Sequence, residues 1–242
     1  MIENVANVCL SLTTITLPCH SLIYFYFFVA QVQYEGAEEE TNWISKAGKA
    51  TVTYADGSSF VGTFDEEKLK QGEGVYTWMG PGEEEDEKVE KAVYKGEYKD
   101  GVKNGRGSMK FPNGDLYDGF WKDNKMEGEG TYTYKATGDI YSGSFAAGKK
   151  SGEGRYEFGG DSSQLVGTWV DGAITTGSWE LKGAAVYKGS FKNGKPDGEG
   201  SFKFSSGIEQ SGSYVAKKDG EEDDEEAPVT ITWEGTPVHS TA

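Results

Sequence analysis

Cysteine, histidine and proline are scarce in this chain of 242 residues. It contains only Cys9 and Cys19, only His20 and His239, and six prolines. These cysteines and histidines all lie outside the patterned region 34–214, so that region offers neither a disulfide framework nor a Cys/His zinc site. The low cysteine usage is typical of a reducing, intracellular compartment.

The patterned region also lacks the residues that most catalysis needs. A Ser or Cys nucleophile generally requires a neighbouring base, usually histidine, and none is present there. The stretches 143–150 and 189–196 look like phosphate-binding loops but lack the final Ser/Thr that would hold magnesium. Glutamates recur between paired glycines, and we expect them to cover a face of the protein rather than form a catalytic pair: Glu73, Glu129, Glu153 and Glu199. We therefore predict no enzyme and no catalytic, cofactor-binding or metal-binding residues.

The net charge of −16 is unevenly distributed. The runs Glu83–Glu90 and Asp219–Glu226 together carry −12 of it, so the rest of the chain is close to neutral. A nucleic-acid backbone or an anionic membrane is a poor partner for such a charge. Neither run has the spacing of a structured calcium loop, so we interpret both as solvated acidic segments, with calcium binding as the less favoured alternative.

Glycine and aromatic residues are abundant. The 35 glycines are about twice the ordinary usage of ~7%. They are accompanied by 14 Tyr, 12 Phe and 6 Trp. Glycine and aromatics spread evenly along a chain favour many short strands joined by tight turns.

A repeated unit, aromatic-x-Gly-x-aromatic, organises the sequence. From Tyr94 onward the units begin 22 to 24 residues apart, and the acidic run widens the step from Phe60 to Tyr94 to 34 residues. A weaker unit begins at Tyr34. The regular units begin at Phe60, Tyr94, Tyr117, Tyr141, Leu165, Tyr187 and, less typically, Gln210.

Most units continue with Gly-x-Gly and alternating aromatics, and turn signals such as Asp100-Gly101 and Asn193-Gly194 separate the halves. Two strands and two turns per period predict one hairpin per repeat. The predicted fold class is therefore all-β: an elongated, twisted antiparallel ribbon of tandem hairpins in which each repeat contacts mainly its neighbours.

Strand geometry assigns roles to the repeated residues. Tyr94, Gly96 and Tyr98 share one face of a strand, and we expect an aromatic from a neighbouring hairpin to fill the slot above Gly96. Gly128 and Gly130 are likewise expected to share a face with the aromatics that follow them. The predicted structural positions are Tyr94, Gly96, Tyr98, Gly105, Gly107, Tyr117, Gly119, Trp121, Gly128, Gly130, Tyr141, Gly143, Phe145, Gly152, Gly154, Gly167, Trp169, Tyr187, Gly189, Phe191, Gly198 and Gly200. For Trp121 and Trp169 we favour core packing over a binding role.

The unit at Leu165 departs from the rule. Its second half, Gly172–Leu181, lacks the Gly-x-Gly pair. We expect a locally altered hairpin, either a degenerate repeat or, less favoured, a contact site.

The pattern divides the chain into three parts: residues 1–33, an array over 34–215 with an acidic insertion at 82–91, and an acidic, mostly disordered tail over 216–242. Residues 22–30 are nearly all apolar, but polar residues interrupt the stretch before them. A membrane span needs about 20 apolar residues. We therefore favour a non-native start of the reading frame over a membrane anchor, and an anchor over a signal peptide.

The unit Tyr-x-Gly-x-Phe/Trp-x-x-Gly-x-x-x-Gly-x-Gly, as in Tyr94–Gly107 and Tyr187–Gly200, resembles the MORN repeat. That resemblance covers about 34–214 and implies a single-layer ribbon of β-hairpins. The irregular stretch Gly172–Leu181, together with the end of the array at Gly207–Tyr214, is similar to the MORN proteins of the radial spoke head. The acidic insertion and residues 1–33 depart from that pattern.

The resemblance implies a non-catalytic scaffold that binds other proteins, namely radial spoke head subunits in the axoneme of a cilium or flagellum. One alternative is a cortical or membrane-associated scaffold, which the charge disfavours unless residues 1–33 are an anchor. The least favoured is the regulatory arm of a lipid kinase or SET-domain methyltransferase, because the chain ends without a catalytic domain.

Overall fold

The computed structural model describes residues 31–34, 47–84, 87–218 and 229–237. These residues form sixteen β-strands and no helix. In chain order the strands are β1 (Gln31–Tyr34), β2 (Gly48–Thr53), β3 (Ser59–Phe64), β4 (Lys70–Pro81), β5 (Lys88–Lys99), β6 (Val102–Lys110), β7 (Leu116–Lys122), β8 (Lys125–Thr133), β9 (Ile140–Ala146), β10 (Lys149–Glu157), β11 (Gln164–Val170), β12 (Ala173–Leu181), β13 (Ala185–Lys192), β14 (Lys195–Phe204), β15 (Glu209–Lys218) and β16 (Val229–Gly235).

The strand order follows the sequence from β1 to β16, and the pairings are antiparallel. The predicted all-β class of tandem antiparallel hairpins is confirmed. The predicted turns are tight: Asp100 and Gly101, between β5 and β6, both have positive φ angles, 50° and 83°. Asn-Gly and Asp-Gly pairs favour this backbone, which suits the twist of the flanking strands.

Side chains alternate across each strand, and β7 shows the pattern most clearly. Tyr117, Gly119 and Trp121 are buried, whereas the residues between them are exposed. Alternate residues of a strand point to opposite faces. One face of the strand therefore supplies the aromatic core.

The strands form two compact units. The first contains the described residues up to Gly114 together with Trp121–Asn124, and the second contains Asp115–Phe120 and the described residues from Lys125 onward. The core of the first unit includes Phe60, Phe64, Tyr94, Tyr98 and Trp121. The core of the second includes Tyr117, Tyr141, Phe145, Leu165, Trp169, Ile174, Tyr187 and Phe191.

The strands extend past the array bounds expected from the repeat pattern. β1 begins at Gln31, β15 continues to Lys218, and β16 lies in the segment expected to be mostly disordered. The acidic insertion partly lengthens a hairpin, because β5 already begins at Lys88 and pairs there with Pro81 of β4. Most of residues 1–33 and the acidic run 219–226 lie outside the described residues.

Candidate protein-binding surface

The ring of Tyr141 lies over a pair of facing glycines in its own hairpin. Gly143 in β9 pairs with Gly154 in β10, and a Cβ added at Gly154 would lie 2.6 Å from Cζ of Tyr141. The Tyr141 hydroxyl donates a hydrogen bond to the backbone oxygen of Ser144, 3.0 Å away. Tyrosine therefore suits this position because its ring covers the glycines and its hydroxyl satisfies a backbone acceptor.

The same arrangement recurs at the other regular hairpins. Tyr94, Tyr117 and Tyr187 donate to the backbone oxygens of Glu97, Phe120 and Ser190 at 3.0, 2.9 and 3.3 Å. Facing glycines lie beneath these rings, namely Gly96 and Gly107, Gly119 and Gly130, and Gly189 and Gly200.

Two of the sequence-based expectations about glycine were wrong. The ring above Gly96 belongs to Tyr94 of the same hairpin, not to a neighbouring hairpin. The first glycine of the Gly-x-Gly pair does not continue the alternation of side chains along the strand. In β10 the register shifts between Lys150 and Gly154, and Gly152, which lies within this shift, has a φ of 66°. Gly105, Gly128 and Gly198 also have positive φ. In each pair, the first glycine therefore forms a bulge and the second admits the ring.

In three units the terminal aromatic packs edge-on against the tyrosine of the preceding hairpin. Trp121 meets Tyr94 at 5.4 Å and 89° between ring planes, Phe145 meets Tyr117 at 5.1 Å and 83°, and Trp169 meets Tyr141 at 5.2 Å and 77°. Such pairs contribute about 0.5–1.5 kcal/mol beyond burial. The other predicted aromatics of this type, Tyr98 and Phe191, are also buried.

Trp121 and Trp169 lie in the core, as favoured from the sequence. Their indole N–H groups donate to the backbone oxygens of Gly107 and Gly154 at 3.0 and 3.2 Å. At Gly167 the glycine faces Gly177, and an added Cβ would meet backbone rather than a ring.

Burial raises the pKa of the core tyrosines. For Tyr141, loss of hydration is the main cause and the negative charge of Glu129 adds to it, which raises the pKa to about 12. Burial and the carboxylate of Asp118 raise the pKa of Tyr117 to about 12. The raised pKa values extend the pH range in which these phenols stay protonated, and their hydroxyls donate the hydrogen bonds to the backbone.

Half-buried lysine ammonium groups lie against the rings of the aromatic core and were not predicted from the sequence pattern. Lys150 Nζ lies 4.7 Å from the ring centroid of Tyr156, 4.8 Å from Trp169, 5.5 Å from Tyr141 and 5.7 Å from Tyr134. Burial lowers its pKa, and the charge of Asp139 partly opposes this effect. We call such a set of rings a lysine cage.

Lys103 and Lys70 occupy equivalent lysine cages. Lys103 Nζ lies 4.8 Å from the Trp121 ring centroid, and Lys70 Nζ lies 4.8 Å from that of Tyr76. A desolvated cation over aromatic faces contributes up to about 2 kcal/mol. The recurrence of lysine two residues before a Gly-x-Gly pair is the sequence signal that could have identified these positions.

Two aspartates support the second strand of their hairpins and were also missed. Asp139 accepts hydrogen bonds from the Tyr156 hydroxyl at 2.6 Å and from the Gly159 amide at 2.8 Å. Asp115 accepts equivalent bonds from Tyr132 and Lys135 at 2.9 and 2.8 Å. Each precedes the tyrosine of its unit by two residues.

The altered unit at Leu165 has the predicted irregular hairpin. In the pairing of β11 with β12, the register shifts at Thr168 and Trp169, because β12 has one extra residue there. In the regular hairpin β9–β10 the same shift takes up two extra residues on β10.

An open groove of about 410 Å³ lies beside this altered hairpin. Phe158, Leu165, Trp179 and Phe191 line it, and the lining continues to Pro196 and Tyr214. We call it the hairpin groove. It is the candidate site where another molecule can contact the aromatic core.

On the opposite face the recurrent glutamates Glu73, Glu129, Glu153 and Glu199 are exposed, together with apolar side chains such as Val61, Phe120 and Val170. Among the residues that the structure describes, no group of three or more His, Cys, Asp or Glu is placed to hold a metal ion. The described part of the chain also contains no helix long and apolar enough to cross a membrane.

The fold and its periodic core define a tandem β-hairpin repeat protein. The repeats are similar to the MORN repeat: the model of that family matches residues 61–79, 94–116, 117–136, 141–162 and 187–209. The altered unit between 162 and 187 is not matched.

The chain is also similar to MORN repeat-containing protein 3 of Xenopus laevis. The two are 30% identical over 104 residues, which cover 39% of this chain and 40% of the relative. The chain thus spans less than half the length of the relative it matches. MORN repeats generally mediate protein interactions, and some bind membranes; the proteins that carry them are generally non-catalytic scaffolds.

Proposed function

We propose that this protein is a structural scaffold of the radial spoke head in the axoneme of cilia or flagella. In this role it binds neighbouring spoke-head subunits and performs no catalysis itself. The observation that carries the proposal is the altered hairpin β11–β12, which departs from the regular repeat where the sequence resembles the MORN proteins of the radial spoke head.

The regular hairpins support a structural role. Their tyrosines, lysines and aspartates contact one another: Lys150 lies within 5.7 Å of four ring centroids, and Asp139 accepts hydrogen bonds from Tyr156 and Gly159. Such groups hold a rigid surface for other proteins. The altered hairpin exposes a groove instead, and a scaffold needs such a contact point.

The proposal is tested by purification of a tagged full-length chain from ciliated cells at mild salt, with identification of its companions by mass spectrometry. Untagged cells provide the background. Recovery with spoke-head subunits in the axonemal fraction is the expected result. Recovery with cortical or membrane proteins, and none from the axoneme, would contradict the proposal and support a cortical scaffold.

A sedimentation assay with vesicles of phosphatidylcholine and phosphatidylserine separates the same two functions in vitro. We expect the full-length chain to stay in the supernatant at about 0.15 M salt, because its net charge is −16. Salt-sensitive binding to the anionic vesicles, absent from vesicles of phosphatidylcholine alone, would favour the cortical alternative.

A further inference from the structure

One repeat position distinguishes the hairpins that contain a lysine cage from the two hairpins beside the groove. This position faces the terminal aromatic of the preceding strand, as Lys150 faces Phe145. Ile174 occupies it opposite Trp169, and Pro196 occupies it opposite Phe191. Lysine therefore gives way to a shorter side chain in two successive hairpins.

The walls around Ile174 correspond to the walls around Lys150. Tyr156 faces Tyr141 in β9–β10, and Trp179 faces Leu165 in β11–β12. Two further rings around Lys150 are Tyr134 and Trp169. One repeat later along the chain, their positions are occupied by Phe158 and Phe191. The hairpin groove is lined by Phe158, Leu165, Trp179 and Phe191. Ile174 is itself fully buried and is not one of the lining residues, so the side chain at this position does not enter the groove.

The charges around the groove differ from those around Lys150. Asp139, which precedes Tyr141 by two residues, raises the pKa of Lys150. Its counterpart before Leu165 is Ser163, a buried neutral residue. The charged residue that lines the groove is Lys195. A cation that enters the groove would therefore find no carboxylate at position 163, and Lys195 would repel it. The groove therefore favours a neutral side chain.

One buried polar atom at the groove requires an acceptor. Among the described residues, Trp179 Nε1 is buried and has no hydrogen-bond partner. The corresponding Tyr156 hydroxyl donates to Asp139. A buried donor without a partner is unfavourable, and a carbonyl or carboxylate oxygen from a bound segment would satisfy it.

We propose that the hairpin groove binds a segment of a partner protein that inserts a methionine side chain and carries a carboxylate beside it. The methionine fills the space that the lysine stem fills in β10, and the carboxylate pairs with Lys195. A main-chain oxygen of the segment accepts from Trp179 Nε1. This inference rests on the proposed scaffold function and names the chemistry of its contact.

The test uses the ¹⁵N-labelled full-length protein and fluorescein-labelled seven-residue peptides with the sequence Gly-Ser-Asp-Met-Asp-Ser-Gly. In control peptides, Lys or Ala replaces the central Met. We expect the Met peptide to shift the Trp179 indole NMR signal and leave that of Trp121 in place. Its Kd is expected to be at least about tenfold lower than that of either control, or ~1.4 kcal/mol.

Two variants show where the peptide binds. Ile174→Met fills the groove from within, and we expect binding to weaken about tenfold or more, ~1.4 kcal/mol. Met126→Leu is the matched control in the regular hairpin that contains β8, and it should bind as the wild type does. Lys195→Glu changes an exposed residue, so it should keep the fold and weaken binding of the acidic peptide.

Several outcomes would overturn the inference. The first is that Ile174→Met binds the Met peptide as tightly as the wild type does. The second is that the Lys peptide binds more tightly than the Met peptide, and the third is that the Met peptide leaves the Trp179 signal unchanged. A Trp179 signal that shifts on dilution of the protein alone would show a second copy in the groove. A Trp179 signal that the peptide shifts only after the acidic run Asp219–Glu226 has been replaced by serine and glycine would show that this run of the chain itself occupies the groove.

Purification from ciliated cells separates this inference from the proposed function. If Ile174→Met is still recovered with all the spoke-head subunits, the groove is not their contact and the scaffold function stands. If the wild type binds the Met peptide but recovers no axonemal protein, the groove stands and the proposed function fails.

Discussion

The hydroxyl of Tyr141 reaches across Gly143 and donates to the backbone oxygen of Ser144 in the same strand, 3.0 Å away. The ring can take this path only because Gly143 and Gly154 have no side chains. The tyrosine and the glycine pair therefore act as one packing unit.

Gly154→Ala tests that unit. The new methyl group would meet the Tyr141 ring, with Cζ at 2.6 Å, so the ring must leave its place. We expect the free energy of unfolding to fall by about 1–3 kcal/mol, the usual penalty of overpacking. Urea unfolding followed by tryptophan fluorescence measures it.

Gly160→Ala is the matched control, because a Cβ there meets nothing within 4 Å. It should change the free energy of unfolding by less than about 0.5 kcal/mol. Equal effects of the two substitutions would show that the Tyr141 ring does not depend on the glycine.

Alkaline pH should destabilise the protein through its core tyrosines. Folding raises the pKa of Tyr117 and Tyr141 to about 12, above the ordinary 10.0 of an exposed tyrosine. The contribution of these two tyrosines to the free energy of unfolding is therefore complete below pH 10, and it is lost as the pH rises toward 12. Each adds a slope of up to about 1.4 kcal/mol per pH unit in that window.

Urea unfolding at intervals from pH 8 to 11.5 checks this expectation. Tyr141→Phe removes one titrating group, so its decline above pH 10 should be shallower than that of the wild type. A wild-type stability that stays constant up to pH 11.5 would contradict the prediction.

Lys150→Met tests what the lysine cage needs. Met126 precedes its Gly-x-Gly pair by two residues, as Lys150 does, so methionine suits the position. We expect Lys150→Met to change the free energy of unfolding by less than about 1.5 kcal/mol. Lys150→Ala empties the site and should cost about 2 kcal/mol or more.

Lys149→Ala is the neighbouring control. Its side chain is exposed and pairs with Asp171 at 3.2 Å. Exposed ion pairs contribute little, so the change should stay below about 1 kcal/mol. If Lys150→Ala is as mild as Lys149→Ala, the lysine cage is not part of the core. Thermal and urea unfolding provide the readout.

Asp139→Asn tests the carboxylate that supports β10. Burial raises the pKa of Asp139, but hydrogen bonds from Tyr156 and Gly159 outweigh that effect and lower it below its ordinary value. The Asp139 carboxylate therefore contributes to the free energy of unfolding above about pH 4. This contribution is lost as the pH falls through the lowered pKa that the carboxyl group has in the folded protein.

We expect Asp139→Asn to cost about 1 kcal/mol at pH 7 and less at pH 2.5, because the wild type then loses the same charge. Asp171→Asn at the exposed ion pair is the control and should have little effect at either pH. A cost that is identical at both pH values would contradict a role for the carboxylate charge.

The hairpins were predictable from sequence because alternation and turn residues are local signals. Tyr117, Gly119 and Trp121 alternate with exposed residues in β7 as their spacing indicates. The owner of the ring above Gly96 was not predictable, because it depends on the side-chain direction of Tyr94. Spacing alone allows either hairpin to supply the ring.

The lysine cages and the hairpin groove were missed for a different reason. Lys150 reads as a surface residue, since charged side chains are rarely buried unless they have a partner, and its ring partners come from four strand and turn positions. The groove depends on what Ile174 fails to fill. The side-chain length at position 174 indicates a groove only when the residues that surround it in the folded protein are known.

Because each tyrosine covers the glycines of its own hairpin, the tyrosine–glycine packing of one hairpin does not depend on the chemistry of the next. β11–β12 has Ile174 and Ser163 where β9–β10 has Lys150 and Asp139, yet the rings and hydrogen bonds of β9–β10 are intact. Evolution can therefore specialise one hairpin for recognition while its neighbours preserve the framework.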